Sequence, residues 1–490
     1  MTNCLVSIPL VGLHAAVTAI VAVAGEPLGD NSPLGGVELQ ELTVTAIKQT
    51  ATTDNQAAAA TTITAREAEA LNIVDTRTAS AKAPNFFIPD YGSRMTSTIY
   101  VRGLGARIDQ PVVGLNVDNV PIMNKANSYY PISWDTRELT LGSEFTSRNH
   151  GLALYHQSSC KLGRWNITAG VRVDYEHAAL DYVSSCETGY DVIDASDGSL
   201  YKHFDVNLNE SGHLSKSFWE VLPKVAVTYN ASNSSRVYIS AARGYKAGGF
   251  NTQMFSDVLQ QRLMYSMGIG YEYDVDDVVT YKPEHSWTFE GGTHLEWLGG
   301  SLRLDATLFC ILCTDQQLTM FPDGTTTGRV MTNAGKTRSY GVEIALNFKP
   351  TRNIEIGASY GHTNARFVEF NNGQEDFAKK IIPYAPQNTI FAQANYTIPV
   401  GCGWLQRIVI GASVKGAGRI YWNEANDEWQ DLYALLGATL RLEWSGMSLD
   451  LWGENLTDTA YSTFYFVSIS NAFLQRGKPR RLGATLRIKI

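Results

Sequence analysis

The sequence predicts an all-β protein: a transmembrane antiparallel β-barrel of about fourteen to sixteen identifiable strands, with a small N-terminal α/β domain placed as a plug in its lumen. Three observations predict it. Beyond residue 137, apolar and polar residues alternate with a period of two through one segment after another. Many of these segments are longer than the five or six residues typical of a soluble sheet, and long enough to cross a bilayer. Polar or glycine-bearing breaks such as "NASNSS", "LGG" and "KPTRN" separate several of them.

Residues 1–24, "MTNCLVSIPLVGLHAAVTAIVAVA", are mostly apolar and end in Ala22-Val23-Ala24, the pattern of a secretory signal with a small-residue cleavage site. No Lys or Arg precedes the apolar part and His14 interrupts it, so a buried or disordered leader is the alternative. Residues 25–60 are rich in Gly, Thr, Ala and Gln and read as a flexible arm around one extended pulse, "VELQELTVTAI" at 37–47. Residues 61–136 read as a small mixed domain. Helical spacing in "AREAEALNIVDTRTAS" leads to two β-rich pieces, "STIYVRG" and "PVVGLNVDNVPI". The glycines between these pieces suggest a ligand loop, but no βαβ unit surrounds "RGLG" and no helix starts after it. The reading is a strand, a glycine turn and another strand. Gly103 and Gly105 permit tight backbone against a lumen wall, and Arg102 is a lumen-facing charge with Asp109 and Asp118 as candidate partners.

Residues 137–490 read as the barrel. In "KLGRWNITAGVRVDYEHAALDY", Ile167, Ala169, Val171, Val173 and Tyr175 oppose Asn166, Thr168, Arg172, Asp174 and Glu176. "SLRLDATLFCIL" sets Leu302, Leu304, Ala306, Leu308 and Cys310 against Arg303, Asp305 and Thr307, and "RRLGATLRIKI" repeats the pattern. Similar segments recur at 151–161, 218–230, 234–247, 284–299, 328–350, 354–370, 388–400, 407–422, 432–444 and 447–466. Such a sheet must cover its apolar face. Lipid covers it in a barrel, whose closure removes the edges that hydrocarbon cannot solvate. A lumen this wide is too large for side chains to fill, which makes 61–136 a candidate plug. The aromatic clusters "YY" at 129–130, "RIYW" at 419–422 and "STFYFV" at 462–467 suit interfacial girdles.

Composition excludes several functions. The 490 residues are 44% hydrophobic and only 18% charged, lean in charge for a soluble enzyme. Lys and Arg total 40 against 48 Asp and Glu, a net charge of -8 that gives no support to nucleic-acid binding. The pair in "FCILC", Cys310 and Cys313, reads as apolar packing, because no second CxxC or His partner lies near; a Cys160–Cys186 disulfide is not readable from sequence. "GKTR" at 335–338 lacks the leading loop of a phosphate-binding motif, and the nine His include no H-E-x-x-H. No nucleophile, base and orienter are nominated as a set, so no catalytic residue, metal site or cofactor is predicted.

The motifs, in order over residues 38–490, resemble those of TonB-dependent outer-membrane receptors of Gram-negative bacteria. "ELTVTAIK" at 41–48 looks like a Ton box, with Glu41, Leu42, Thr43, Val44, Thr45 and Ala46 as the coupling segment. "APNFFIPD", "IYVRGLG" and "VVGLNVDNVPI" are similar to the family's plug pattern, and Arg102, Gly103, Gly105 and Asp118 match its characteristic positions. "EVLPKVAVTY", "YISAARGYKAGGFN", "YKPEHSWTFEGG", "TNAGKTRSYGVEIAL" and "LWGENLTDTAYS" look like its strand and turn motifs. "RRLGATLRIKI" is similar to the final strand read by the barrel-assembly machinery, with Ile490 where an aromatic is usual.

The resemblance implies active import across the outer membrane of a scarce solute, such as an iron–siderophore chelate, cobalamin or a glycan fragment. The implied partners are TonB with its inner-membrane energising complex, outer-membrane lipid and a small-molecule ligand such as an iron chelate. No bond in the solute is broken. Family ligands are held by plug apices and outer loops; the candidate loops are 126–134, 184–205 and 251–280. Tyr129, Tyr130 and Trp134 are candidate ligand-facing aromatics, with girdle or packing roles as the alternative. Two departures matter. Segments resembling "RGPQGTLYG" and "GGAINI" do not follow the "VDNVP" strand, and the family's barrel has 22 strands, so half a plug and the early strands are expected to be missing. The alternatives are a receptor-like barrel with a structural or passive-diffusion role, and an extracellular carbohydrate-binding or hydrolytic all-β protein.

Overall fold

The computed structural model describes residues 4–7, 43–44, 51–52, 57–63, 67–68, 73, 76–89, 99–105, 116–117, 120–121, 140–193, 200–266, 274–320, 330–372, 375–402, 404–468 and 471–488. Before residue 140 the described elements are short. They are β1 (Cys4–Ser7), helix α1 (Thr76–Ser80), and a three-stranded ladder of β2 (Phe86–Phe87), β3 (Tyr100–Val101) and β4 (Leu104–Gly105). Two small ladders join Thr43–Val44 to Ala51–Thr52 and Asn116–Val117 to Val120–Pro121.

One antiparallel sheet dominates the rest. Its strands are β5 (Thr140–Leu162), β6 (Trp165–Ile193), β7 (Leu200–Asn230), β8 (Arg236–Lys246), β9 (Glu284–Trp297), β10 (Leu302–Met320) and β11 (Val330–Thr351). It continues through β12 (Ile354–Glu369), β13 (Asn388–Cys402), β14 (Leu405–Ala417), β15 (Tyr433–Trp444), β16 (Met447–Glu454) and β17 (Arg481–Ile488). Each pairs with the next, and β1 lies on the outer edge of β5, giving fourteen strands in all. This agrees with the predicted class; thirteen of the strands fall within 137–490, one fewer than the lower predicted count, and the fourteenth, β1, lies in the segment read as a signal. Among the described residues β5 and β17 are not joined, so the sheet is open. These two strands run in the same direction, because an odd number of antiparallel strands spans from one to the other.

The alternation explains the two faces. On β6 and β7, Trp165, Ile167, Val171, Trp219, Val221 and Val225 are exposed, whereas Asp174 and Glu220 on the opposite face are buried. Aromatic pairs bound the apolar stretch at both ends, Trp165 with Tyr229 and Tyr175 with Trp219, each at 4.8 Å between ring centroids. The ten residue steps from 165 to 175 span about 33 Å of strand, or about 25 Å of height at a barrel's tilt, the height of a lipid-facing band. Several charges on the inner face are paired. Arg441 Nε donates to Asp450 Oδ1 at 2.6 Å, and Arg487 binds the same carboxylate. Connections at one end are tight, as at 163–164, 352–353 and 445–446, while those at the other are long, as at 247–283, 370–387, 418–432 and 455–480.

Several expectations need correction. The predicted loop at 184–205 is mostly strand: β6 and β7 stay paired from Trp165–Tyr229 as far as Ile193–Leu200 and stand well beyond the upper aromatic pair. Their inner face is covered by helices α2 (Phe255–Ser266) and α3 (Val275–Val279) from the 247–283 connection. Phe255, Val258, Val275 and Val278 pack there against Leu180 and Tyr182. That apolar cover lies at the base of the arm, before residue 184. The segment 447–466 is not one strand; β16 ends at Glu454, and a separate hairpin follows at Ser462–Ser468 and Asn471–Arg476. Cys310 and Cys313 fall on opposite faces of β10, as an odd spacing in a strand requires, and Cys313 Sγ donates to Glu284 Oε1 at 3.2 Å. Cys160 pairs in register with Ile167, and Cys186 lies far along the same strand opposite Leu141, so these two cannot form a disulfide.

The outward assignment has a measurable consequence. Val225→Arg, in the middle of the exposed face of β7, is expected to cost about 2–4 kcal/mol in lipid vesicles, and Asn166→Arg on the inner face of β6 less than half as much. Urea titration with a heat-modifiability gel reads both, and equal costs would remove the lipid-facing assignment.

Candidate functional site on the inner wall

The turn joining β3 to β4 is the element that fits the wall most closely. Val101 pairs with Leu104, leaving Arg102 and Gly103 as the two turn residues, with φ of 52° and 79°. Two positive φ values in a two-residue hairpin define a type I′ turn, which suits glycine at the second position. Contact reinforces the requirement: a Cβ on Gly103 would collide with Ala365 and Thr363 of β12. A Cβ on Gly105 would strike the ring of Tyr100, its partner across the hairpin. Gly103 thus lies against the wall, whereas the tight contact of Gly105 is within the hairpin, with Tyr100.

Arg102 is buried and holds two carboxylates of the wall. Its Nε and Nη2 donate to Glu343 Oε1 and Oε2 at 2.8 and 2.9 Å, a bidentate pair, and Nη1 donates to Glu290 Oε1. The guanidinium also lies 4.5 Å from the centroid of the Phe309 ring. Burial opposes its charge, but attraction and hydrogen bonds from Glu343, then Glu290, more than offset that and raise its pKa above the ordinary value. The partners are thus Glu290 of β9 and Glu343 of β11. Asp109 and Asp118, the candidates from sequence, lie outside the described residues.

Asn85 supports the turn from behind. Arg102 N–H donates to the Asn85 carbonyl at 2.8 Å, and Asn85 N–H donates to Thr389 Oγ1 of β13 at 2.8 Å. Asn85 Nδ2 reaches the carbonyl of Val342 at 3.2 Å, and Ser339 Oγ donates to the carbonyl of Arg102. Five consecutive strands, β9 to β13, therefore contact one short motif. The interface is polar, and several of its buried atoms have no partner among the described residues: Asn85 Oδ1, Glu290 Oε2, Thr337 Oγ1, Thr363 Oγ1 and Gln393 Oε1. On the side toward the long connections, Tyr100 is buried with Tyr384, Trp422 and Ile420.

A second feature lies where the sheet splits. Pairing of β7 with β8 stops at Lys224–Ala242. Beyond it Tyr245 Oη donates to Glu176 Oε1 at 2.7 Å and Asp174 Oδ2 at 3.1 Å, while His285 contacts Glu220 at 2.8 Å. A cavity of about 460 Å³ opens in this wedge, lined by Lys216, Phe218, Lys282, His285 and Asp315. Lys216 Nζ also pairs with Asp276 Oδ2 at 2.7 Å, holding α3 against β7.

Of the other predicted site residues, Thr43 and Val44 form a two-residue strand, and Glu41, Leu42, Thr45 and Ala46 lie outside the described residues. So do Tyr129, Tyr130 and Trp134. Sequence reasoning missed Asn85, Glu290 and Glu343 as members of the site. Strand parity alone marks Glu290 and Glu343 as inward carboxylates within "TFEGG" and "YGVEIAL", but does not say what they meet.

Removing the cation should expose how much the contact contributes. Arg102→Met leaves Glu290 and Glu343 buried together and should cost about 3–5 kcal/mol of docking, seen as faster proteolysis near residues 85–105. Adding Glu290→Gln and Glu343→Gln should restore most of the protection. Unchanged proteolysis in the single variant would show that the contact holds nothing in place.

The pattern of the family described as TonB dependent receptor-like, beta-barrel, matches residues 38–456. The pesticin receptor of Yersinia pestis is 26% identical over 342 residues, covering 69% of this chain and 43% of the receptor. A probable TonB-dependent siderophore receptor, PiuA of Acinetobacter baumannii, is 26% identical over 197 residues, 38% of this chain and 25% of that protein. The chain thus spans less than half the length of these relatives. Among solved structures, the ferric yersiniabactin uptake receptor FyuA from Yersinia pestis superimposes with a TM-score of 0.54 at 22% identity, over 71% of this chain and 47% of that one. The chain belongs to the TonB-dependent receptor family, whose members are β-barrel receptors of the Gram-negative outer membrane and not enzymes.

Proposed function

We propose that this chain serves TonB-dependent import of a scarce solute, with an iron–siderophore complex as cargo, by displacement of a plug formed within residues 61–136. The observation that carries this reading is the polar seat of the Arg102 turn. A plug held by apolar packing would lose its burial energy on moving. The Arg102 turn is held by one cation, two carboxylates and several hydrogen-bonding groups that water can take over as the turn leaves, beside an apolar contact of Tyr100 with Tyr384, Trp422 and Ile420. Such a contact resists small fluctuations and yields to a directed pull. The pull would enter at residues 41–48, which include the short strand Thr43–Val44, by strand addition to TonB. The cargo class rests on two of the similar proteins, one named a probable TonB-dependent siderophore receptor and the other a ferric yersiniabactin uptake receptor.

A second reading, a receptor-like barrel with a structural or passive role, is favoured by one observation: the chain spans 43% of the pesticin receptor, and the outermost long strands of its sheet are not joined among the described residues. Two measurements separate the readings. The full chain, but not one lacking residues 41–48, should be captured by the periplasmic domain of TonB. In an iron-starved strain lacking its own receptors, the full chain should restore growth on a ferric siderophore, and the deletion should abolish that growth. Growth that survives the deletion, or depends on no TonB, would favour passive passage.

A further inference from the structure

The outer wall carries two charges that the transport reading does not use. On β11 the outward row is apolar from Phe348 through Leu346, Ile344 and Val342 to Tyr340, and the next outward residue toward the long connections is Arg338. On β12 the corresponding row is Ile354, Ile356, Ala358 and Tyr360, then His362, Asn364 and Arg366. The register sets Arg338 directly opposite Arg366. Both guanidinium groups therefore project from the lipid-facing side, beyond the aromatic girdle, on the end that bears the long loops. In a barrel of this kind that end faces the cell exterior.

Like charges directly opposed across two strands are destabilising. Elsewhere in the sheet the arginines meet carboxylates: Arg441 with Asp450, Arg172 with Asp174, Arg407 with Glu443. Among the described residues no carboxylate lies within salt-bridge reach of Arg338 or Arg366, and the nearby Glu369 is paired with Lys336 at 2.7 Å. Arg366 is held in place, its Nε donating to Asn364 Oδ1 and its Nη1 to the Lys379 carbonyl, both at 2.8 Å. Arg338 lies 5.6 Å from the centroid of the Tyr340 ring. A pair of planar donors without a carboxylate partner among the described residues, one of them held by hydrogen bonds, at headgroup height, matches a phosphate group, which guanidinium binds through two parallel hydrogen bonds.

We propose that Arg338 and Arg366 form a docking site on the outer wall for the phosphate of an outer-leaflet glycolipid. The bound lipid supplies the missing negative charge and relieves the repulsion between β11 and β12. It thereby braces the wall strands that seat the Arg102 turn, since Glu343 and Ser339 are inward neighbours on β11.

The test uses the full chain refolded in phosphatidylcholine vesicles, with the thermal midpoint read by heat-modifiability. Bis-phosphorylated lipid A in the vesicles should raise the midpoint of the parent chain by several degrees. It should leave Arg338→Gln/Arg366→Gln unmoved, and dephosphorylated lipid A or inorganic phosphate should move neither. In vesicles without lipid A the double variant should be at least as stable as the parent, because the repulsion is gone; a merely structural role for the arginines predicts the reverse. Arg338→Gln alone, at an exposed site, should bind lipid A about tenfold more weakly. The proposal fails if that single variant binds as tightly as the parent, if the glycolipid acts without its phosphates, or if free phosphate acts as well as lipid.

Discussion

Hydrocarbon offers the peptide group no hydrogen-bonding partner, and this constraint shapes the whole molecule. Each strand crossing the lipid band must satisfy its N–H and C=O groups on neighbouring strands. A sheet that does so has two faces, and a period of two divides the residues between them. The outward face is apolar, from Trp165 to Tyr175 on β6 and from Phe348 to Tyr340 on β11. The inward face is left with the charged and polar groups, which must find partners in a confined space. Asp450 accepts from both Arg441 and Arg487, and Asp174 pairs with Arg172.

The Arg102 turn is seated by the same logic. The inner wall presents the carboxylates of Glu290 and Glu343, and the turn brings one guanidinium to both. Glycine at 103 lets the backbone come close enough, because β12 leaves no room for a side chain there. The unpartnered oxygens around this contact belong to polar residues in a confined but hydrophilic space, the kind of site where ordered water resides. The turn is therefore specific in geometry through polar contacts, while Tyr100 beside it adds an apolar contact with Tyr384, Trp422 and Ile420.

At the long-loop end the sheet's continuity gives way. Above Lys224–Ala242 the ladder between β7 and β8 ends, and side chains take its place, with Tyr245 bridging to Asp174 and Glu176 and His285 to Glu220. Helices α2 and α3 supply an apolar cover for the base of the extended arm. The parallel direction of β5 and β17 shows that antiparallel closure takes an odd number of strands between them, one observation beside the 43% share of the pesticin receptor that this chain spans.

Much of this was legible in the sequence. Alternation is local, so the barrel class, the strand-rich region after residue 137, the opposite faces of Cys310 and Cys313, and the glycine turn at 102–103 all follow from residues close together in the chain. What lies across the molecule was not. That Arg102 meets Glu290 and Glu343, that Asn85 reaches Thr389, that Arg338 stands opposite Arg366, and that two helices pack on Leu180 and Tyr182 are matters of contact between segments up to some three hundred residues apart. A period of two assigns each side chain to a face. Which group it meets there depends on how neighbouring strands slide past one another, and only the assembled sheet decides that.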